Sequence, residues 1–232
     1  MIKLISIPKP FVCQYCKCGF TKENTLAVHV CEQKRRALAQ HEKHVVIGFD
    51  AYNRFYKKTQ NSNGEKTYAE FAKSPYYNAF VKFGSFVSNV NPIYPDRFIN
   101  WVVVSGVKLD HWCSDALYEK YMLDLIKVET VETAIDRGVA HMMTWGESND
   151  ASWNHYFLYV SLNRATYDIK DGKISPWLIF NSANGKSMLK KMSDDQLGTI
   201  SNIIDPPFWI NKFKRNPDDV SLIKQIIKEM NI

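Results

Sequence analysis

Phe11-Val12-Cys13-Gln14-Tyr15-Cys16-Lys17-Cys18-Gly19-Phe20-Thr21-Lys22-Glu23-Asn24-Thr25-Leu26-Ala27-Val28-His29-Val30-Cys31 places two residues between Cys13 and Cys16 and twelve between Cys16 and His29. That is zinc-ligand spacing. Two thiolates on a tight turn and a third ligand on a following helix can close around one tetrahedral ion. The ion then supplies folding free energy that so short a segment cannot obtain by burying apolar surface.

The apolar positions support the same reading. Phe11, Cys13, Cys16, Phe20, Leu26 and His29 follow the order aromatic, x, Cys, x2, Cys, x3, Phe, x5, Leu, x2, His. In this the segment resembles the zinc finger of the two-cysteine, two-histidine type, over residues 11–31 alone. The resemblance implies a two-stranded ribbon, a helix from about Glu23 to His29, and a small core of Phe20 and Leu26 between them. It also implies Lys22, Asn24, Thr25 and Val28 as base-facing helix positions. These form a poor reading set, because Thr25 and Val28 cannot make the bidentate contacts that discriminate bases.

The fourth ligand departs from the pattern. Gln33, Lys34 and Arg35 stand where a second histidine or cysteine belongs, and none of them binds zinc. Cys31 is the nearest substitute, with Cys18, His41 and His44 as fallbacks. On a continuous helix, residues two apart point roughly 200° away from each other, so His29 and Cys31 share a metal only where the helix frays or turns.

The net charge of +6 is unevenly placed. Eight basic and three acidic side chains fall in residues 1–44, a local +5 centred on the finger and on Lys34-Arg35-Arg36 behind it. Such a cluster beside a finger fits phosphate contact, since each neutralised phosphate releases condensed counterions. A solvated helix face is the plainer reading of a charge run.

Four of five cysteines lie in the finger, which argues against a disulfide framework and for a reducing cytoplasm. Pro8 and Pro10 interrupt the N-terminal apolar stretch, so no secretory signal is expected, and no apolar run is long enough to span a bilayer. At 232 residues and 45% hydrophobic, the chain is long enough for one sizeable core or a core plus a satellite.

Beyond the finger the patterning is helical. Leu38, Val45, Phe49, Tyr52, Phe55 and Tyr56 form an apolar stripe over 32–60, ended by the turn-favouring Asn61-Ser62-Asn63-Gly64. Tyr68 to Val87 reads as helix with a break at Ser74-Pro75. Pro95 opens a helix, although Trp101 to Val104 fits a buried strand equally. Residues 110–137 read as the best helical stretch, with Trp112, Leu117, Tyr121, Leu125 and Val128 on one side and Asp115, Glu119, Glu129 and Glu132 facing solvent. Ser193-Asp194-Asp195-Gln196 is a capping box, Asp205-Pro206-Pro207 a stop, and Pro217-Asp218-Asp219 a start. The expected architecture is mainly α, with a small ββα zinc finger in 1–44 and a mostly helical domain in 45–232.

Other chemistry finds little support. Gly185-Lys186-Ser187 imitates a phosphate-binding loop, yet Phe180 stands where its first glycine belongs. His141, Glu147 and His155 match no ligand spacing. Asp168 and Asp171 before Gly172 read as a turn, and Cys113 lacks a visible base beyond His111. The six tryptophans and twelve tyrosines fit a core better than a surface for stacking bases.

The resulting expectation is a non-catalytic, zinc-holding accessory protein that binds nucleic acid, DNA ahead of RNA, in transcription, replication or genome processing. Phosphate and base contacts would come from Lys22, Asn24, Thr25, Lys34, Arg35 and Arg36. One alternative is an adaptor that docks a larger protein machine or a virion, with the finger as a clip. Another is a nuclease with a dispersed acidic site. An unusual finger on an unfamiliar helical body suggests a viral accessory protein in a host cytoplasm.

Overall fold

The structure, a computed structural model, describes residues 9–60 and 64–232. Among these the chain is mainly α, with fifteen α-helices and one two-stranded hairpin. It divides into two compact units, the first ending at Ser114 and the second running Asp115–Ile232. The division expected after residue 44 falls inside the first unit, just within a helix.

In the first unit, β1 (Phe11–Val12) and β2 (Gly19–Phe20) pair antiparallel, Phe11 opposite Phe20, and lead into α1 (Glu23–Ala27). The segment expected to be one or two helices over 32–60 forms α2 (Glu32–Leu38), a 3-10 turn at Ala39–His41, and α3 (Lys43–Gln60). Most of the turn expected at Asn61-Ser62-Asn63-Gly64 lies outside the described residues. Next come α4 (Tyr68–Lys73), α5 (Tyr77–Val90) and α6 (Pro95–Val104). The break at Ser74-Pro75 falls where proline disfavours a helical predecessor. Trp101–Val104 is helical, with Val102 and Val103 buried on the same face as Phe98 and Ile99.

The principal packing here is α3 against α5, and two glycines permit it. A Cβ on Gly84 would stand 1.9 Å from the His44 carbonyl oxygen, and one on Gly48 2.6 Å from that of Phe80. Around this crossing Phe71, Phe80, Phe83, Phe98 and Trp112 are fully buried. Trp112 sits edge-on to Phe80 and Phe83 and donates Nε1–H to the Val107 carbonyl at 2.9 Å. The aromatic wealth of this segment is core, as large rings that dominate burial should be.

The second unit contains α7 (Asp115–Val128), α8 (Val131–Asn149), α9 (Tyr156–Tyr159), α10 (Leu162–Lys170), α11 (Pro176–Asn181), α12 (Ala183–Lys190), α13 (Asp194–Ile200), α14 (Pro206–Arg215) and α15 (Pro217–Met230). The capping box at Ser193 and the proline start at Pro217 form as expected.

Five expectations need correction. The stretch 110–137 is two helices, because Thr130 caps α8 by accepting from the Thr133 N–H. Glu129, expected in solvent, is buried at that junction, where both its carboxylate oxygens bond Arg137 and Oε1 also accepts from Ser175 at 2.7 Å. Val128 is exposed rather than part of the apolar side. Asp205-Pro206-Pro207 does not merely stop a helix. Asp205 accepts from the Phe208 N–H and opens α14, since proline suits a first helical turn.

Asp168 is likewise not in a turn. It lies inside α10, fully buried, accepting from Tyr156 Oη at 2.8 Å and Arg164 Nε at 2.9 Å. His141 Nε2 stands 2.9 Å from its Oδ2, so His141 packs against this buried carboxylate. Gly185 lies inside α12, where the close Ile179 backbone leaves no room for a side chain. No helix among the described residues is long and apolar enough to cross a membrane.

Candidate metal centre

The hairpin delivers the first two candidate ligands. Cys13 follows β1 and Cys16 lies on the turn, which is closed by Cys13 N–H to the Cys18 carbonyl at 2.9 Å and Lys17 N–H to the Cys13 carbonyl at 2.9 Å. Lys17 takes the left-handed backbone conformation, with φ 61°, to complete this knuckle. The third ligand, His29, packs its ring against Phe20, with centroids 4.7 Å apart.

The fourth ligand depends on a helix break. The helix expected through His29 ends at Ala27, and a new one starts at Glu32 with Cys31 as its N-cap. Two β-branched residues, Val28 and Val30, weaken helix across the gap. With the chain turned there, Cys31 comes to the same side as His29. Its Sγ accepts from the Lys34 backbone N–H at 3.3 Å, a contact that holds the thiol in place from behind the site.

The four ligand atoms of Cys13, Cys16, His29 and Cys31 all lie within 4.8 Å of one another, and this is the only such grouping among the described residues. Cys13 Sγ is 4.0 Å from Cys31 Sγ, and Cys16 Sγ is 3.3 Å from His29 Nε2. A tetrahedral ion with zinc-like bond lengths needs sulfur–sulfur edges of about 3.8 Å and sulfur–nitrogen edges of about 3.5 Å. The donor set therefore fits a soft, tetrahedral metal ion. The fallback residues stand elsewhere. Cys18 is exposed, His41 contacts Gln40 at 3.0 Å, and His44 is 3.4 Å from a Glu42 carboxylate oxygen.

The site favours thiolate at one position before any metal enters. Backbone N–H groups, that of Cys16 first and then that of Tyr15, draw the Cys13 thiol down to about 7 against the opposing effect of burial. Burial pushes the Cys31 thiol up. Three thiolates and a neutral imidazole around a divalent ion sum to −1, so metal loading lowers the formal +5 of residues 1–44 to +4.

The predicted nucleic-acid contacts divide into two groups. Lys22, Asn24 and Thr25 are exposed, as is Val28, and no residue of α1 is buried. Arg35 is exposed, its side chain 68% accessible, and pairs with Glu32. Lys34 donates Nζ–H to the His29 carbonyl at 3.3 Å, at the edge of the metal centre. Arg36 faces inward, its side chain only 14% accessible. It donates to the Ala72 and Ser74 carbonyls at 2.9 and 3.3 Å and lies 4.4 Å over the Tyr77 ring, while its own carbonyl accepts from Tyr68 Oη. Arg36 therefore fastens α2 to α4 and α5. A basic run in sequence carries no signal of this, because partners 32 to 41 residues away are invisible locally.

Compared with family models, with curated proteins and with solved structures, the chain finds no match.

Proposed function

We propose that the Cys13, Cys16, His29 and Cys31 centre holds zinc, that the segment is a zinc finger, and that its outer surface binds nucleic acid through phosphate contacts without catalysis. The observation that carries the reading is the exposure of the basic groups around the converged ligands. Lys9, Lys17, Lys22 and Arg35 all project to solvent from the elements the ion would tie together. Charges fixed on a small rigid module meet phosphate without ordering a long segment, and each contact adds to the salt dependence of binding.

Sequence discrimination by α1 is weak in this reading. The helix has five residues, and it and its caps expose Lys22, Glu23, Asn24, Thr25, Ala27 and Val28, among which Glu23 repels phosphate and Ala27 and Val28 carry no polar group. Affinity for duplex DNA, single-stranded DNA and RNA, titrated with salt, tests it. Linear loss of log affinity with log salt is expected, and absence of binding at about 50 mM salt contradicts it.

A second reading, a protein-docking adaptor, has one observation in its favour. Val28 is 78% accessible, and Val30 and Leu38 are also exposed close by in sequence. Neighbouring exposed apolar side chains suit a protein partner better than phosphate.

A further inference from the structure

A cavity of about 320 Å³ opens beside the metal centre, between the hairpin turn, the end of α1 and the first turn of α2. Such a volume is at the small end of the ~300–1,000 Å³ range of ligand pockets. Cys13 and His29 form its inner wall, on the side of the metal centre; Val12, Leu26 and Ala27 give it apolar walls, Tyr15 supplies an aromatic ring, and Gln14 and Lys34 supply polar groups at the outer side. We infer that this cavity receives one unpaired nucleobase, making the finger a binder of single-stranded rather than duplex nucleic acid. The inference rests on the nucleic-acid reading above and names the form of the ligand.

The chemistry of the lining matches an unstacked base at each point. A base needs a flat π surface, and Tyr15, half-buried at the cavity wall, supplies one. The edge of a base presents both donors and acceptors, and the Gln14 amide carries both. The phosphate attached to that nucleotide needs a cation at the rim. Lys34 meets this need, because its ammonium gives one N–H to the His29 carbonyl and has two more to donate.

A base inside a duplex cannot enter such a cavity without being flipped out, which costs unpairing and unstacking free energy. The face of α1 that would have to read a duplex groove is short and chemically poor. The two features favour the same ligand form. Both single-stranded DNA and single-stranded RNA present the required face, charge and edge.

The experiment is equilibrium binding of the metal-loaded full chain to oligo(dT), oligo(U) and a duplex of equal length at one salt concentration. Single strands are expected to bind at least tenfold more tightly than the duplex. Tyr15→Ala should weaken single-strand binding about fivefold to a hundredfold and leave duplex binding unchanged. Tyr15→Leu, which keeps apolar volume but cannot stack, should lose as much, and Tyr15→Phe should retain affinity. Tyr159→Ala, which removes an exposed tyrosine of the other unit, should change neither.

Equal binding of duplex and single strands, or full affinity in Tyr15→Leu, overturns the inference while leaving nucleic-acid binding standing. Absence of binding to all three probes overturns the nucleic-acid reading itself. A preference between oligo(dT) and oligo(U) separates DNA from RNA as the source of the strand.

Discussion

Arg36 reaches the Ala72 carbonyl oxygen at 2.9 Å, joining the helix behind the metal centre to a helix 36 residues further along the chain. The contact changes what Lys34-Arg35-Arg36 means. Three adjacent charges resemble one phosphate-binding patch in sequence, yet one of them is a structural fastener.

Lys34→Ala and Arg35→Ala should therefore act differently from Arg36→Ala. Each of the first two should flatten the log–log salt dependence of binding by roughly 0.7 to 0.9 if it touches phosphate, with little effect on stability. Arg36→Ala should lower stability by about 1–3 kcal/mol, because two buried-side carbonyls lose a charged donor, and leave the salt slope unchanged. Denaturant unfolding and salt titration of the three variants read these outcomes. A flattened slope in Arg36→Ala at unchanged stability contradicts the assignment.

Glu129 and Arg137 form an ion pair in the second unit, with the Glu129 side chain fully buried and that of Arg137 nearly so. Arg137 also donates Nε–H to the Gly172 carbonyl at 2.7 Å. Glu129→Ala should cost about 3–5 kcal/mol, since it leaves a buried guanidinium without its counter-ion. Urea unfolding measures this, and a loss below about 1 kcal/mol, the level of an exposed pair, contradicts it.

Asp168 gives the second unit an acid-side pH dependence. Burial raises the pKa of this carboxyl, but the adjacent His141 imidazole and hydrogen bonds from Tyr156 and Arg164 outweigh it and hold the pKa below the usual carboxylate range. A lowered folded-state pKa stabilises the fold fully above the unfolded value of about 3.9, and the contribution drains away as pH falls through the folded value. Asp168→Asn should therefore be less stable than wild type at pH 6, with the gap closing below about pH 4. Thermal unfolding of both proteins across that range checks the sign, and a gap that widens in acid refutes it.

Gly84 should tolerate no side chain. The His44 carbonyl lies where its Cβ would be, so Gly84→Ala must push α3 from α5. A loss of at least about 1–3 kcal/mol is expected, the scale of overpacking in a core. Gly198→Ala, where a Cβ meets nothing, should be neutral or stabilising by about 0.5–1 kcal/mol, as glycine is a poor helix former.

The mainly α class and the converging ligands were legible because both depend on local spacing. Apolar residues repeating at helical intervals set the elements, and Cys13, Cys16 and His29 had the separation that a knuckle and a short helix require. Cys31 was reachable only as the nearest donor. Its role depends on a break at Val28–Val30 and on its place as the cap of α2, which sequence spacing does not show. The misread acids, Glu129 and Asp168, share another cause. Each is buried against partners distant in sequence, among them Ser175 for Glu129 and His141 for Asp168, and an acidic residue read alone defaults to the surface.

Cys31→Ser separates the fourth ligand from the finger as a whole. Zinc content at pH 7.5 should fall and its release by a chelator should quicken, because three donors remain. Retention of zinc at wild-type affinity, together with loss on Cys18→Ser, would reassign the ligand. In wild type the ion should leave on acidification to about pH 4, where protons compete for imidazole and thiolate.

The central claim, a zinc-built finger, is tested most directly by the metal content of the full chain purified without added metal. One zinc per chain, absent from the Cys13→Ser, Cys16→Ser double variant, is the predicted result. Metal-free protein, or the same zinc content in the double variant as in wild type, contradicts it.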